Sequence, residues 1–250
     1  MSGAATAPDI LSRGADGADG AAGLKGPNGQ NVGGTTTHQQ GQPCDYGQNG
    51  TDGYCDAKKN CVASTDGCPG APGSSGEHGG NGTAGQDAYD LTINVNVVTG
   101  LFTVLSSGGN GGSGGVGGTG GDGANGGNAG QGVDACLTST DGSTATCQPA
   151  KGGVGGNAGS GADGGAGGNG GNGGSIAIIF PKGKTSIMAS SVPGVGGAGA
   201  PAGVSGTPGL GGQNEKVPNQ PASSAANGQI GNNGTSGPAG QNGNKGSITS

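Results

Sequence analysis

Glycine at every third residue constrains this chain more than any other feature. One tract runs Gly14, Gly17, Gly20, Gly23, Gly26, Gly29; tracts 67–85 and 228–246 keep the same period, and a looser one covers 194–212 with Ala200 in the glycine column. Over 108–130 and 152–174 two of every three positions are glycine, with Ala124, Ala129, Ala158 and Ala162 as substitutes. Of the 69 glycines in 250 residues, 62 lie in these tracts or in the weaker stretch 41–53. A period of three belongs to the polyproline-II helix, with three residues per turn and a rise of about 3.1 Å. Glycine enters that conformation without proline and leaves a bare face. Neighbouring helices then approach closely enough to exchange N–H···O=C bonds, with weaker Cα–H···O contacts beside them.

Two other readings of a glycine triplet are weaker. A collagen helix needs abundant proline, and only 13 prolines are present, while doubled glycines have no role in its X position. A disordered linker has no reason to hold register over tracts of nearly equal length. The expected fold is a single-domain polyglycine-II (PPII-type) helix bundle over 1–250, with six or seven antiparallel rods in layers and essentially no α-helix. Rods with two glycine columns can be packed on both sides, so 108–130 and 152–174 are expected inside, with 14–29, 67–85 and 228–246 flanking them. The packing glycines are Gly108, Gly111, Gly114, Gly117 and Gly120, with Gly152, Gly155, Gly161, Gly164, Gly167 and Gly170.

Side chains contribute little core. Hydrophobic residues are 28% of the chain, with three Tyr, two Phe and no Trp, so apolar burial cannot be the main stabilising term. The large apolar residues gather at 91–105, where Leu91, Ile93 and Val95 alternate with polar residues, and at 175–190, around Ile176, Ile178 and Phe180. Each stretch reads as a strand–turn–strand, and two short β-hairpins are expected there. The closing Gly246-Ser247-Ile248 echoes Gly174-Ser175-Ile176, which suggests another strand beginning and a piece of a longer protein.

Six cysteines stand at 44, 55, 61, 68, 136 and 147. In a chain with so little core they read as disulfides formed in an oxidising compartment, extracellular or at the cell surface. Cys136 and Cys147 are expected to pair, closing one connecting loop. Segment 41–53 is either a rod, which separates Cys44 and Cys55 by roughly 30 Å, or a disulfide loop joining them; the second is preferred. Cys61 and Cys68 complete the set. Residues Met1 to Gly14 lack the charged and apolar regions of a signal peptide.

Net charge is −6 and the basic residues are scattered, which argues against nucleic acid as a partner. No apolar run is long enough for membrane insertion. Gly-x-Gly-x-x-Gly strings occur in the glycine tracts without a strand–turn–helix around them, so no dinucleotide cofactor is implied. Gly183-Lys184-Thr185 lacks the earlier glycine of a phosphate loop, and Gly14 to Asp19 lacks the apolar position of a calcium nonapeptide. His38 and His78 have no evident partner for catalysis or metal binding. No catalytic residue, metal site or cofactor is expected, and the chain does not read as an enzyme. Asn49-Gly50-Thr51, Asn81-Gly82-Thr83 and Asn233-Gly234-Thr235 fit the N-glycosylation pattern.

The glycine tracts resemble those of polyglycine-II bundle proteins, among them the disulfide-bonded springtail antifreeze proteins. The Gly-Gly-Asn, Gly-Gly-Ala and Gly-Gly-Thr wording also looks like glycine-rich mycobacterial surface proteins and phage tail-tip adhesins. Three functions are in keeping with these features. The first is a non-enzymatic structural surface module, a repeating unit that self-associates or adjoins further domains. The second, implied by the springtail resemblance, is ice binding, for which Val116, Thr119, Val154 and Ala166 are the fitting residues. The third is a receptor-binding adhesin presenting its end loops to a cell-surface receptor.

Overall fold

The glycine columns become contact rows in the computed structural model, which describes residues 8–31, 37–58, 60–97, 100–133, 135–137, 144–179, 186–217 and 219–250. Among the described residues there is no helix, and ten short strands join long extended segments. The segments are numbered as rods: rod 1 (14–29), rod 2 (47–53), rod 3 (67–85), rod 4 (108–130), rod 5 (152–174), rod 6 (194–212) and rod 7 (228–246). Rods 1, 4 and 6 run one way in one layer, and rods 3, 5 and 7 run the opposite way in a second.

Every third N–H within a layer donates to the next rod. Gly17 reaches the Asn110 carbonyl at 2.7 Å and Gly111 reaches Val195 at 2.8 Å; in the second layer Gly73 reaches Asn157 at 2.9 Å and Gly161 reaches Asn232 at 2.8 Å. A second set crosses between layers, as in Gly115 to Gly80 (2.7 Å), Gly165 to Gly115 (2.8 Å) and Gly203 to Ala162 (2.8 Å). Rod 4 bonds to rods 1, 3, 5 and 6, and rod 5 to rods 3, 4, 6 and 7. The approach leaves no room for a side chain: a Cβ built on Gly165 lies 1.9 Å from the Gly80 carbonyl oxygen.

Each layer continues into a parallel sheet at the same end. β1 (Ile10–Arg13), β5 (Leu101–Ser107) and β9 (Ser186–Val192) lead into rods 1, 4 and 6. β4 (Leu91–Asn94), β8 (Ile176–Ile179) and β10 (Ile248–Thr249) follow rods 3, 5 and 7. The pairings are Ile10 with Val104, Val104 with Ala189, Leu91 with Ile176, and Ile248 with Ile176, all parallel. The hairpins expected at 91–105 and 175–190 are therefore not formed. β4 and β5 are consecutive but lie in different sheets, because each strand extends the layer of its own rod. The connection crosses from one layer to the other through Gly100, whose φ of +94° suits only glycine without strain. Phe180 and residues 181–185, including Lys184, lie outside the described residues.

The two sheets enclose the side-chain core: Val104, Ile176 and Ile178 are buried, with Ile10, Leu91, Ile93, Phe102, Ile187 and Ala189 packed around them. Where strand gives way to rod, three serines sit in one row. Ser12, Ser106 and Ser191 are buried, and their hydroxyls accept N–H bonds from Tyr89 (3.1 Å), Gly174 (3.0 Å) and Gly246 (2.8 Å) of the other layer. Backbone donors at the change of conformation are thus satisfied by side chains.

The opposite end is stapled. β2 (Tyr54–Cys55) pairs antiparallel with β3 (Cys61–Val62), and β6 (Ala135–Leu137) with β7 (Thr144–Thr146). Disulfides join Cys44 to Cys68 and Cys61 to Cys147, with Cα separations of 5.5 and 5.7 Å. Both expected pairs are overturned. The β6–β7 ladder sets Ala145, not Cys147, opposite Cys136, leaving Cys147 to reach Cys61. Cys55 is also disulfide-bonded, and the Cys136 side chain lies outside the described residues. Segment 41–53 is neither alternative in full. Its second half is a short rod, with Gly50 donating to Asn128 and Gly53 to Gln131, while Cys44 is tied to the head of rod 3.

Candidate functional site

The outward column of each rod carries most of the side-chain chemistry, and much of it is directed sideways. An outward N–H has no rod above it to accept, and a carboxylate or amide oxygen on the adjacent rod takes that place. In the first layer Asp16 accepts from Asn110 N–H (2.7 Å), Asp19 from Ser113 (2.7 Å), Asn110 from Val195 (3.0 Å), Asp122 from Thr207 (2.8 Å) and Asn125 from Leu210 (2.9 Å). The second layer repeats the device: Asp87 accepts from Asn172, Asn157 from Gln229, Asp163 from Thr235 and Asn169 from Gln241. Some levels carry no Asn or Asp, as where Ala22 stands beside Val116 and Val154 beside Ala226; at two of them the neighbour needs no acceptor. In the same register Val116 stands beside Pro201 and Ala166 beside Pro238, and proline has no N–H to satisfy.

These ladders change the meaning of residues read in sequence as a solvated polar surface. Asn49, Asn81 and Asn233 of the three glycosylation motifs are ladder acceptors for Asn128, Ala166 and Ser205. The edge of rod 6 is closed the same way, with Asn242 and Asn233 of rod 7, and Asn227 just before it, accepting from Gly196, Ser205 and Gly211. The signal available in the sequence is the recurrence of Asn or Asp at matched triplet positions of tracts 72–94 residues apart. Without the pairing of tracts it cannot be recognised.

The ladder also fixes the electrostatics. The Thr207 N–H, its hydroxyl and Lys25 (3.4 Å) lower the Asp122 carboxyl to about 2. The Asn110 N–H lowers Asp16 and the Thr235 N–H lowers Asp163, with Arg13 and His78 as smaller contributors. At the sheet end Asp9 is lowered by the N–H and hydroxyl of Thr103.

The two outer faces differ. Rod 6 presents Val195, Ala198, Pro201, Val204, Thr207 and Leu210 outward; Val195, Val204 and Leu210 are 57–60% exposed. Rod 4 adds exposed Val116 to this face. The second layer shows Val154 among Asn, Ser, Asp and Gln. The four residues that fitted ice binding therefore do not share a surface: Val116 and Thr119 lie on the first layer and Val154 and Ala166 on the second. The rod 6 column is hard to see in sequence because its tract is the least regular.

At the stapled end an open cavity of about 590 Å³ is lined by Thr37, His38, Gln39, Gln42, Pro43, Asp45 and Gln48. The His38 ring nitrogens lie 3.1 Å from the Asp66 carbonyl and 3.0 Å from that of Gln42. His38, Cys44 and Cys68 bring potential ligand atoms within 4.8 Å of one another, but the two sulfurs are joined to each other and offer no thiolate. Nearby, the largely buried Glu215 accepts from the Ala150 N–H (2.7 Å) and the Ser64 hydroxyl, pinning rods 5 and 6 to the stapled end. His78 sits apart in the second layer, 3.6 Å from Asp163.

No protein-family model matches the chain, and no curated protein matches it significantly. Among solved structures, the nine polyproline type II helical bundle springtail antifreeze protein from Granisotoma rainieri is similar at 23% identity over 86% of this chain and 94% of that one, with a TM-score of 0.13. A TM-score so low establishes neither a common fold nor a common function, and the chain's own geometry has to supply both.

Proposed function

We propose that this chain is a polyglycine-II bundle serving as a stiff, non-enzymatic extracellular module that meets its surroundings through flat faces. The observation that carries the reading is the register, in which the same within-layer backbone bonds recur at every triplet and pass directly into the two sheets. Disulfides at one end and a side-chain core at the other hold such a slab at both extremities, in keeping with an oxidising compartment. Native-state hydrogen exchange tests the stiffness. Interior amides such as Gly115 and Gly165 should exchange only through global opening; exchange of these amides within minutes, in a chain that melts well above the assay temperature, refutes the rigid slab.

One observation favours a second reading. The uncharged outward column of rod 6 has the small, weakly hydrated character that ice binding requires. A thermal-hysteresis assay tests it directly, and growth of ice unaffected by the folded protein removes it. The adhesin reading gains no comparable support.

A further inference from the structure

We infer that the outer face of the first layer is a self-complementary surface for a second copy of this chain, packed face to face with rods antiparallel. The inference rests on the two-layer slab proposed as the functional unit. It begins from a break in the ladder rule: rods 1 and 4 carry capping Asn or Asp at most outward levels, whereas the rod 6 column caps no backbone N–H, is uncharged, and exposes Val195, Val204 and Leu210.

The ladder aligns residues across this face in rows about 9 Å apart, three residues per row step. Ala22, Val116 and Pro201 form one such row, which is uncharged across all three rods. A two-fold axis along that row places each rod on its own copy. Rod 6 then sets Ala198 against Val204 of the second copy, small against larger. Rod 4 sets Asn110 against Asp122, and rod 1 sets Asp19 against Lys25. No like charges meet. Moving the axis one row either way places Asp19 on Asp19 or Lys25 on Lys25, so the charge pattern disfavours both of those registers. The result is an isologous contact, as closed dimers require. With about 56 Å of rod length and three rods at a strand-like spacing, each copy buries on the order of 800 Å², the usual size of a specific interface.

Sedimentation velocity of the full chain between about 1 and 200 µM is the test, with circular dichroism melts run in parallel to separate folding from association. The expected result is a concentration-dependent species of twice 22.7 kDa. Val204→Glu, at a side chain 57% exposed in the single chain, should leave the melt unchanged and weaken the dimer about 100-fold or more by burying an unpaired charge. Lys25→Asp should weaken it by repulsion from Asp19, and Asp19→Lys combined with Lys25→Asp should restore it. A wild-type chain that stays monomeric at about 200 µM overturns the inference, as does a dimer indifferent to Val204→Glu. Monomer with thermal hysteresis that Val204→Glu abolishes also overturns it and assigns the face to ice. A poorly melting wild type would instead undermine the bundle reading.

Discussion

Replacing Gly165 by alanine tests whether backbone contact holds the layers together. The added Cβ would lie 1.9 Å from the Gly80 carbonyl oxygen and 2.5 Å from its carbon, where an ordinary contact is about 3.4–4 Å. Rods 3 and 5 must therefore part by more than an ångström at that level. The shift overpacks a rigid contact, at about 1–3 kcal/mol. It also strains the 2.7 Å bond from Gly115 to the same Gly80 carbonyl, at a further ~1 kcal/mol or more. Ala162 already occupies this column one triplet away, so the rods can yield at one level. The substitution asks them to yield at two in succession. A loss of about 3 kcal/mol is expected, or roughly 6–12 °C in Tm for a chain of this size. Thermal melts followed by circular dichroism measure it, with Ser236→Ala on the exposed edge as a control expected to fall within about 0.5 kcal/mol. If Gly165→Ala melts within a degree of wild type, the glycine column is not a packing face and the reasoning fails.

The same geometry sets three further expectations. Replacing both Cys61 and Cys147 by serine opens a loop spanning 86 residues of separation and should cost about 4–5 kcal/mol on the chain-entropy model, read as a lowered denaturant midpoint. Ile176→Ala, at the centre of the small core, should cost about 2–4 kcal/mol, with rod amides remaining the last to exchange. Acid should weaken the fold through the ladder carboxylates. Asp122 is held at about 2 against an unfolded value of 3.8, so its contribution is complete above about pH 4 and fades as pH falls through about 2. Asp122→Asn should flatten the acid limb of a stability–pH profile, and an unchanged limb would count against the ladder as a source of stability.

The rods are legible in the sequence because glycine spacing and rod geometry share one number. Pairing is not legible. Alternation at Leu91, Ile93 and Leu101–Leu105 identifies strands, but adjacency in sequence suggests hairpins, whereas the parent rods decide which sheet each strand enters. The cysteines mislead for a related reason. Cys61 and Cys147 are remote in the chain and become neighbours only once rods 3, 4 and 5 are side by side. Asn and Asp in the outward columns read as hydration, because their acceptor role depends on which rod stands beside them. Pro201 opposite Val116 shows that the sequence does record this pairing, in a form readable only after the fold.

The direction of donation within the layers has a consequence for how such a molecule can vary. Rod 1 gives to rod 4 and rod 4 to rod 6, while rod 3 gives to rod 5 and rod 5 to rod 7. The slab is therefore polar across its width, with carbonyls along one margin and N–H groups along the other. A further up-and-down pair can join a margin without altering any backbone contact already made, since each pair presents the same acceptor side and the same donor side. Thickness is fixed at two layers by the zigzag, but width is a free variable, adjustable by duplication in units of one pair. Asn227, Asn233 and Asn242, folded back onto the N–H margin of rod 6, act as the selvage that finishes such a fabric.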